Sequence, residues 1–180
     1  MKDCKNWRWV FDYKVSNKYK IGRRIQIPHN NIYKCTEIIA RKWDQKSPYR
    51  DFALIKLDRA VTDREPLKIR RSGAVKVNDP LVVIGYPSGL PLKFARGGRV
   101  LNIDHKYFFS STVDAFVGNS GSVVINEETG LVEGILSRGG EDYHYEKRKG
   151  KRCLVPTVCT DKDKCEGEEV SSISELIPYL

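Results

Sequence analysis

Short apolar runs, each cut off by Gly, Pro or charge, recur from Trp7 to Gly140, and no long helical period interrupts them. Trp7 to Val15 alternates aromatic and mostly polar residues, the period-2 mark of a strand with one buried face. Arg24-Ile25-Gln26-Ile27, stopped by Pro28, reads as a second strand, and Ile32 to Ala40 as a third. Asp51-Phe52-Ala53-Leu54-Ile55-Lys56-Leu57 follows a polar loop. Further on, Leu81 to Tyr86 reads as a buried strand closed by a Pro87-Ser88-Gly89 turn, and Phe94 to Leu101 is expected to bend at its glycines. Ser122–Asn126 and Leu131–Gly140 flank the turn Glu127-Glu128-Thr129-Gly130. The chain is expected to be all-β.

At 180 residues there is enough chain for one good core or two small ones. Asp63 to Val77 is polar and basic, with Pro66 and Gly73, and reads as a connection between two β lobes. The expected division is an N-terminal lobe over 1–70 and a C-terminal lobe over 71–180 with a cysteine-rich tail. No apolar run approaches the roughly 18–20 residues that span a bilayer, so no membrane partner is expected. The net charge of +9 raises nucleic acid as a partner, but the basic residues are spread from Lys2 to Lys164 among acids. The densest cluster, Lys147 to Arg152, reads as an exposed loop, and no nucleic-acid partner is expected.

Five cysteines stand at 4, 35, 153, 159 and 165, without a CxxC pair or a histidine at zinc spacing. No metal site and no cofactor are expected. The spaced trio Cys153, Cys159 and Cys165 reads as disulfide chemistry in an oxidising compartment, although no signal peptide is visible at the N-terminus. An odd count leaves one thiol unpaired, and Cys4–Cys35 is the first bridge expected.

Two strand-like runs flank Gly118-Asn119-Ser120-Gly121. Glycines around one hydroxyl let the backbone turn tightly, so that the Gly118 and Ser120 amides can point at one spot while the hydroxyl stays approachable. The same four residues also fit an ordinary hairpin turn. The longer string VDAFVGNSGSVVIN resembles the nucleophile segment of trypsin-like (chymotrypsin-fold) serine proteases, above all the bacterial branch near the glutamyl endopeptidases, where GNSGS replaces GDSGG. The resemblance implies a two-lobed antiparallel β-barrel with an incomplete N-terminal lobe and a short C-terminal helix. It makes Ser120 the nucleophile of a serine-type endopeptidase, and Gly118 and Ser120 the oxyanion hole.

DFALIKLDRAV resembles the aspartate segment of the same fold, which makes Asp51 the acid that orients a catalytic imidazole. IGYPSGLP is similar to a string of the bacterial members. Leu131 to Gly140 resembles the strand that pairs with an extended peptide or protein substrate, and lays Ser137, Arg138 and Gly139 along that edge. Arg138 replaces a residue that is often aromatic in the animal enzymes. Asp114, six residues before Ser120, falls on the pocket-floor position and implies a preference for basic side chains. Asn119 removes the carboxylate that pairs with a freed N-terminus in animal zymogens. Such enzymes are secreted or periplasmic. Ser172 to Ile177 fits a capping box opening a short terminal helix, limited by Pro178.

One part of the family pattern is absent. The base normally comes from an A-[AG]-H-C string ahead of the aspartate, and this chain has none. His29, 22 residues before Asp51, reads as a loop histidine, and His105 and His144 lie in polar settings after it. The expectation is a chain that begins downstream of the family's histidine and its cysteine, and is nearly inert by itself. The alternative is a pseudoprotease that binds extended peptides or a protein partner without chemistry.

Overall fold

The computed structural model describes residues 4–15, 25–158 and 167–180. Strands β1 (Arg8–Val10), β2 (Ile32–Trp43) and β3 (Asp51–Leu57) form an antiparallel sheet in that order. Strands β4 (Pro80–Gly85), β5 (Lys93–Asn102), β6 (Phe108–Ser111), β7 (Val123–Asn126), β8 (Val132–Arg138) and β11 (Glu168–Ser172) close into a barrel of order β11-β6-β5-β4-β7-β8. Between β8 and β11, β9 (Tyr143–Arg148) and β10 (Lys151–Pro156) make a separate two-stranded hairpin. The protein is mostly β and antiparallel, as expected.

The apolar run of β4 shows how the two parts meet. Leu81 and Val83 point into the barrel, against Val100, Phe109, Val124, Leu136 and Val170. Val82 and Ile84 point the other way, into a second cluster that contains Phe52 and Leu54 of β3, Ile125 of β7 and Val132 of β8. A strand buried on both faces has no polar side to alternate with, which is why its sequence is continuously apolar. At roughly 1.5–3 kcal/mol per buried large aliphatic side chain, the second cluster joins sheet to barrel through several such contributions.

The segment between β3 and β4 is fastened to the barrel by charge. Ile69 bridges Val132 in parallel register, and the Arg70 N–H donates to the Val132 carbonyl at 3.1 Å. The Arg70 guanidinium grips Glu133 in a fork, Nε to Oε2 at 2.6 Å and Nη2 to Oε1 at 2.7 Å. The Glu133 side chain is only 1% exposed. A charge buried that deeply persists because its partner is bidentate and close.

Several local expectations change. Residues 25–27 form no strand, and β1 ends at Val10, shortly before Asp12 turns to φ +60°. Strand β2 runs on to Trp43 rather than stopping at Ala40. Lys147 to Arg152 is exposed as expected, but as the strand-paired tip of the β9–β10 hairpin, turning at Lys149 (φ +49°) and Gly150 (φ +75°), instead of a loop. The terminal helix is short and of 3-10 form, over Ile173–Glu175 and Ile177–Tyr179, with the Ser174 N–H donating to Ser172 Oγ at 3.3 Å. Cys4 and Cys35 are bridged, and both are buried. Cys153 is a free thiol, which removes it from the disulfide trio, while Cys159 and Cys165 lie outside the described residues. Closing 31 residues of chain with Cys4–Cys35 contributes about 3–4 kcal/mol by chain entropy.

Arg70→Ala strands the Glu133 carboxylate and should cost about 3–5 kcal/mol in urea unfolding. The double variant Arg70→Ala/Glu133→Leu should recover most of that loss. A single-variant cost below about 1 kcal/mol would show that the pair is not the fastening described.

Candidate active site

The loop before β7 is held from three directions. The Ser88 N–H donates to the Val117 carbonyl at 2.6 Å, and the Val117 N–H to Asp142 Oδ2 at 2.6 Å. The Gly121 N–H donates to the Leu136 carbonyl of β8 at 2.8 Å, and the Leu136 N–H to the Ser122 carbonyl at 2.9 Å. Inside the loop the Asn119 N–H closes on the Phe116 carbonyl at 3.0 Å, and the Ser122 N–H on the Asn119 carbonyl at 2.8 Å. The Asn119 side chain is buried and accepts from Ser122 Oγ at 3.2 Å.

Gly118 cannot be exchanged without strain. Its φ is +94°, and a Cβ there would lie 3.2 Å from the Ser88 nitrogen and 3.3 Å from the Tyr86 carbonyl oxygen. Ser120 is exposed on the tip. Among the described residues, neither the Gly118 nor the Ser120 N–H has a hydrogen-bond acceptor. Two unspent backbone donors therefore stand beside an exposed hydroxyl.

One cleft borders this loop, and another lies at the end of β8. The first, of about 380 Å³, is lined by Asp114, Phe116, Asn119, Leu90, Tyr143 and Pro156 among others. Asp114 shares it with Lys93, so the cleft carries both signs of charge, not a lone carboxylate. The second, of about 640 Å³, holds Asp51, Trp43, Tyr49, Phe108, His105 and Arg138. There Asp51 opens β3, with its carbonyl accepting from Ser171 Oγ at 2.7 Å. Burial pushes the Asp51 carboxyl above the ordinary aspartate range, partly offset by Arg138 and then Arg41. Arg50 does not pair with Asp51; its Nε donates to Asp44 Oδ2 at 2.9 Å.

Arg138 spans the second cleft. Its Nε donates to Glu169 Oε2 at 2.6 Å and its Nη2 to the Tyr49 carbonyl at 2.7 Å. The guanidinium lies over Tyr49 at 5.4 Å and Phe108 at 5.5 Å, so a planar cation covers the aromatic faces. Ser137 Oγ donates to the Glu169 carbonyl at 3.1 Å. Beside it Gly139 packs on the Glu168 carboxylate, which would have to swing aside for a Cβ at that position.

Asp51 lines the second cleft and Ser120 lines neither, and no contact among the described residues joins their side chains. None of the three histidines reaches either one. His29 lies in the exposed turn before β2. His144 contacts Thr157 Oγ1 and Glu146 Oε1, each at 3.3 Å. His105 stacks on Phe108 with centroids 4.1 Å apart, in the same cleft as Asp51. Among the described residues no group of His, Cys, Asp and Glu could hold a metal ion.

A family model of the trypsin-like peptidase domain matches residues 13–135. The chain belongs to the trypsin-like peptidases. Solved structures with the same fold include the active form of the Rv3671c protease from M. tuberculosis, at 18% identity and TM-score 0.54, covering 83% of this chain and 58% of that one. An inactive serine-to-alanine mutant of Rv3671c from M. tuberculosis H37Rv gives 16% and 0.53, covering 85% and 66%. Kallikrein-related peptidase 10 gives 13% and 0.53, covering 82% and 70%. This trypsin-like chain therefore spans less than two thirds of the length of those mycobacterial protease chains. No curated protein matches it in sequence.

Glu168, Asp142 and Ser88 were not legible as site residues in the sequence, since single acids and serines in polar stretches carry no pattern. Glu168 is the most perturbed of them. Burial first, then the charges of Asp142 and Asp114, push its carboxyl up to about 7. The unfolded chain gives up this proton near 4.5 and the folded chain near 7, so the folded state holds an extra proton between. Stability should fall as pH rises through that window, with the penalty fully present above it. Glu168→Gln should flatten the decline, raising Tm at pH 8 relative to pH 4.5. An unchanged Tm profile would contradict this.

Proposed function

We propose that this trypsin-like peptidase chain carries a serine-type endopeptidase site in which Ser120 attacks the peptide carbonyl and the Gly118 and Ser120 amides receive the oxyanion. The observation that carries the reading is the loop itself, with its forced positive φ at Gly118, unspent amides and exposed hydroxyl. Asp51 is the acid that would orient an imidazole, and its partly buried carboxylate at the edge of an open cleft supports that role. Ser137, Arg138 and Gly139 form the edge along which an extended peptide or protein substrate lies, with Asp114 in the neighbouring cleft. GNSGS supports a place in the bacterial branch near the glutamyl endopeptidases. The buried Cys4–Cys35 bridge supports secretion or a periplasmic location. Among the described residues no helix is long and apolar enough to cross a membrane. The division into lobes near residue 70 is supported by the sheet ending at Leu57 and the barrel opening at Pro80.

With no histidine bonded to Ser120, this chain alone should retain only the catalysis of its amides and of binding. The same observation favours a second reading, peptide binding without chemistry. A fluorophosphonate probe separates the two. Weak labelling at Ser120, lost in Ser120→Ala and rising at least severalfold with added imidazole, is expected of the peptidase. Labelling that imidazole leaves unchanged at background would support binding alone.

A further inference from the structure

The β9–β10 hairpin stands on the wall of the first cleft and is used by none of the chemistry above. Its base is tied to the nucleophile loop. Asp142 accepts from the Val117 N–H, the Tyr143 hydroxyl meets Ser88 Oγ at 2.8 Å, and the Tyr143 ring packs on Phe116 at 5.6 Å. Beyond the base it projects alone, pairing with no other strand among the described residues.

Register divides its residues into two faces. Tyr143 opposes Pro156, Tyr145 opposes Leu154, and Lys147 opposes Arg152. Alternate pairs share a face, and the first of these pairs lines the cleft. Moving outward from the cleft, the same face therefore presents an apolar step and then a basic one. The step is bare, with Tyr145 58% and Leu154 56% exposed. Arg152 leans back over the Tyr145 ring at 3.8 Å. Lys147, Arg148, Lys149, Lys151 and Arg152 crowd the tip, while Glu146, the acid nearest them, is engaged by Arg148 at 3.0 Å and by His144. Two strand repeats separate Tyr143 from Lys147, roughly 14 Å, or about four residues of extended peptide.

We infer that this face is an exosite for an acidic segment of a protein substrate, lying about four residues from the side chain held in the first cleft. Charge complementarity and continuity with the cleft carry the inference, which rests on the reading of that cleft as a substrate pocket. The apolar step accepts an aliphatic or aromatic side chain between the anchor and the acids. Exposed charges of this kind act more on encounter and on selection among substrates than on the chemical step.

The test is fluorescence anisotropy with a fluorescein-labelled dodecapeptide that carries three glutamates beginning four residues from a central arginine. The comparison peptide has glutamines in their place, and a twelve-nucleotide oligothymidylate serves as the competing polyanion. At low salt the glutamate peptide should bind about tenfold tighter than the glutamine peptide. Lys147→Glu/Arg152→Glu should abolish the difference while fluorophosphonate labelling of Ser120 stays as in the parent chain. Equal binding of the two peptides, binding of neither, or tighter binding of the oligothymidylate would overturn the exosite. Absence of fluorophosphonate labelling in the parent chain, with its discrimination between the two peptides intact, would instead count against the catalytic reading and leave the exosite standing, whereas discrimination kept by the double variant would overturn the exosite.

Discussion

A carboxylate sealed inside the protein at Glu133 sets the terms for everything around it. Without Arg70 its charge would be buried and unpaired, so the connection between sheet and barrel must lie where the guanidinium can reach. The consequence is a fixed β8. From that strand the Leu136 carbonyl holds Gly121 and so the loop of Ser120, Ser137 is committed to β11, and Arg138 reaches across to Tyr49 beside Asp51. Sheet, barrel and loop are thus positioned by one strand whose own place is set by a charge pair.

The electrostatics around β8 have an internal logic. On one side, Asp51 is raised by burial and restrained by Arg138, which keeps a cation near the acid without bonding to it in place of a base. On the other, Glu168 is pushed upward by burial and by Asp142 and Asp114. Asp51 and Asp114 line the clefts, while five basic residues are displayed outward at the tip of the β9–β10 hairpin. The basic residues are spread along the chain, and five of the 32 stand together at one projecting tip.

Much of this was legible from residues alone where local chemistry agrees with tertiary demand. Asp51–Leu57 is a strand with the bounds its pattern gives, because one end meets a polar loop and its alternate side chains enter the second cluster. Gly118 was readable because a crowded left-handed turn admits little else. The β9–β10 hairpin was not readable, because nearly all its side chains face solvent and leave no apolar–polar contrast to follow. Strand β11 was missed since its Glu168 and Glu169 side chains are engaged by tertiary partners rather than by an apolar face. Ile25–Ile27 had the right alternation but pairs with no strand among the described residues. Arg138 was legible as an oddity, but its stacking on Tyr49 and Phe108 depends on residues far away in sequence.

The central claim is that the amides of residues 118 and 120 converge on the place where an acyl oxygen attached to Ser120 would sit. A crystal structure of the chain soaked with benzeneboronic acid tests it most directly, because boron adds reversibly to a serine and mimics the tetrahedral intermediate. A tetrahedral boronate is expected on Ser120 Oγ, with one boron-bound oxygen about 3 Å from both the Gly118 and Ser120 nitrogens. Boron bonded elsewhere, or an adduct whose oxygens face solvent and meet neither amide, would contradict it.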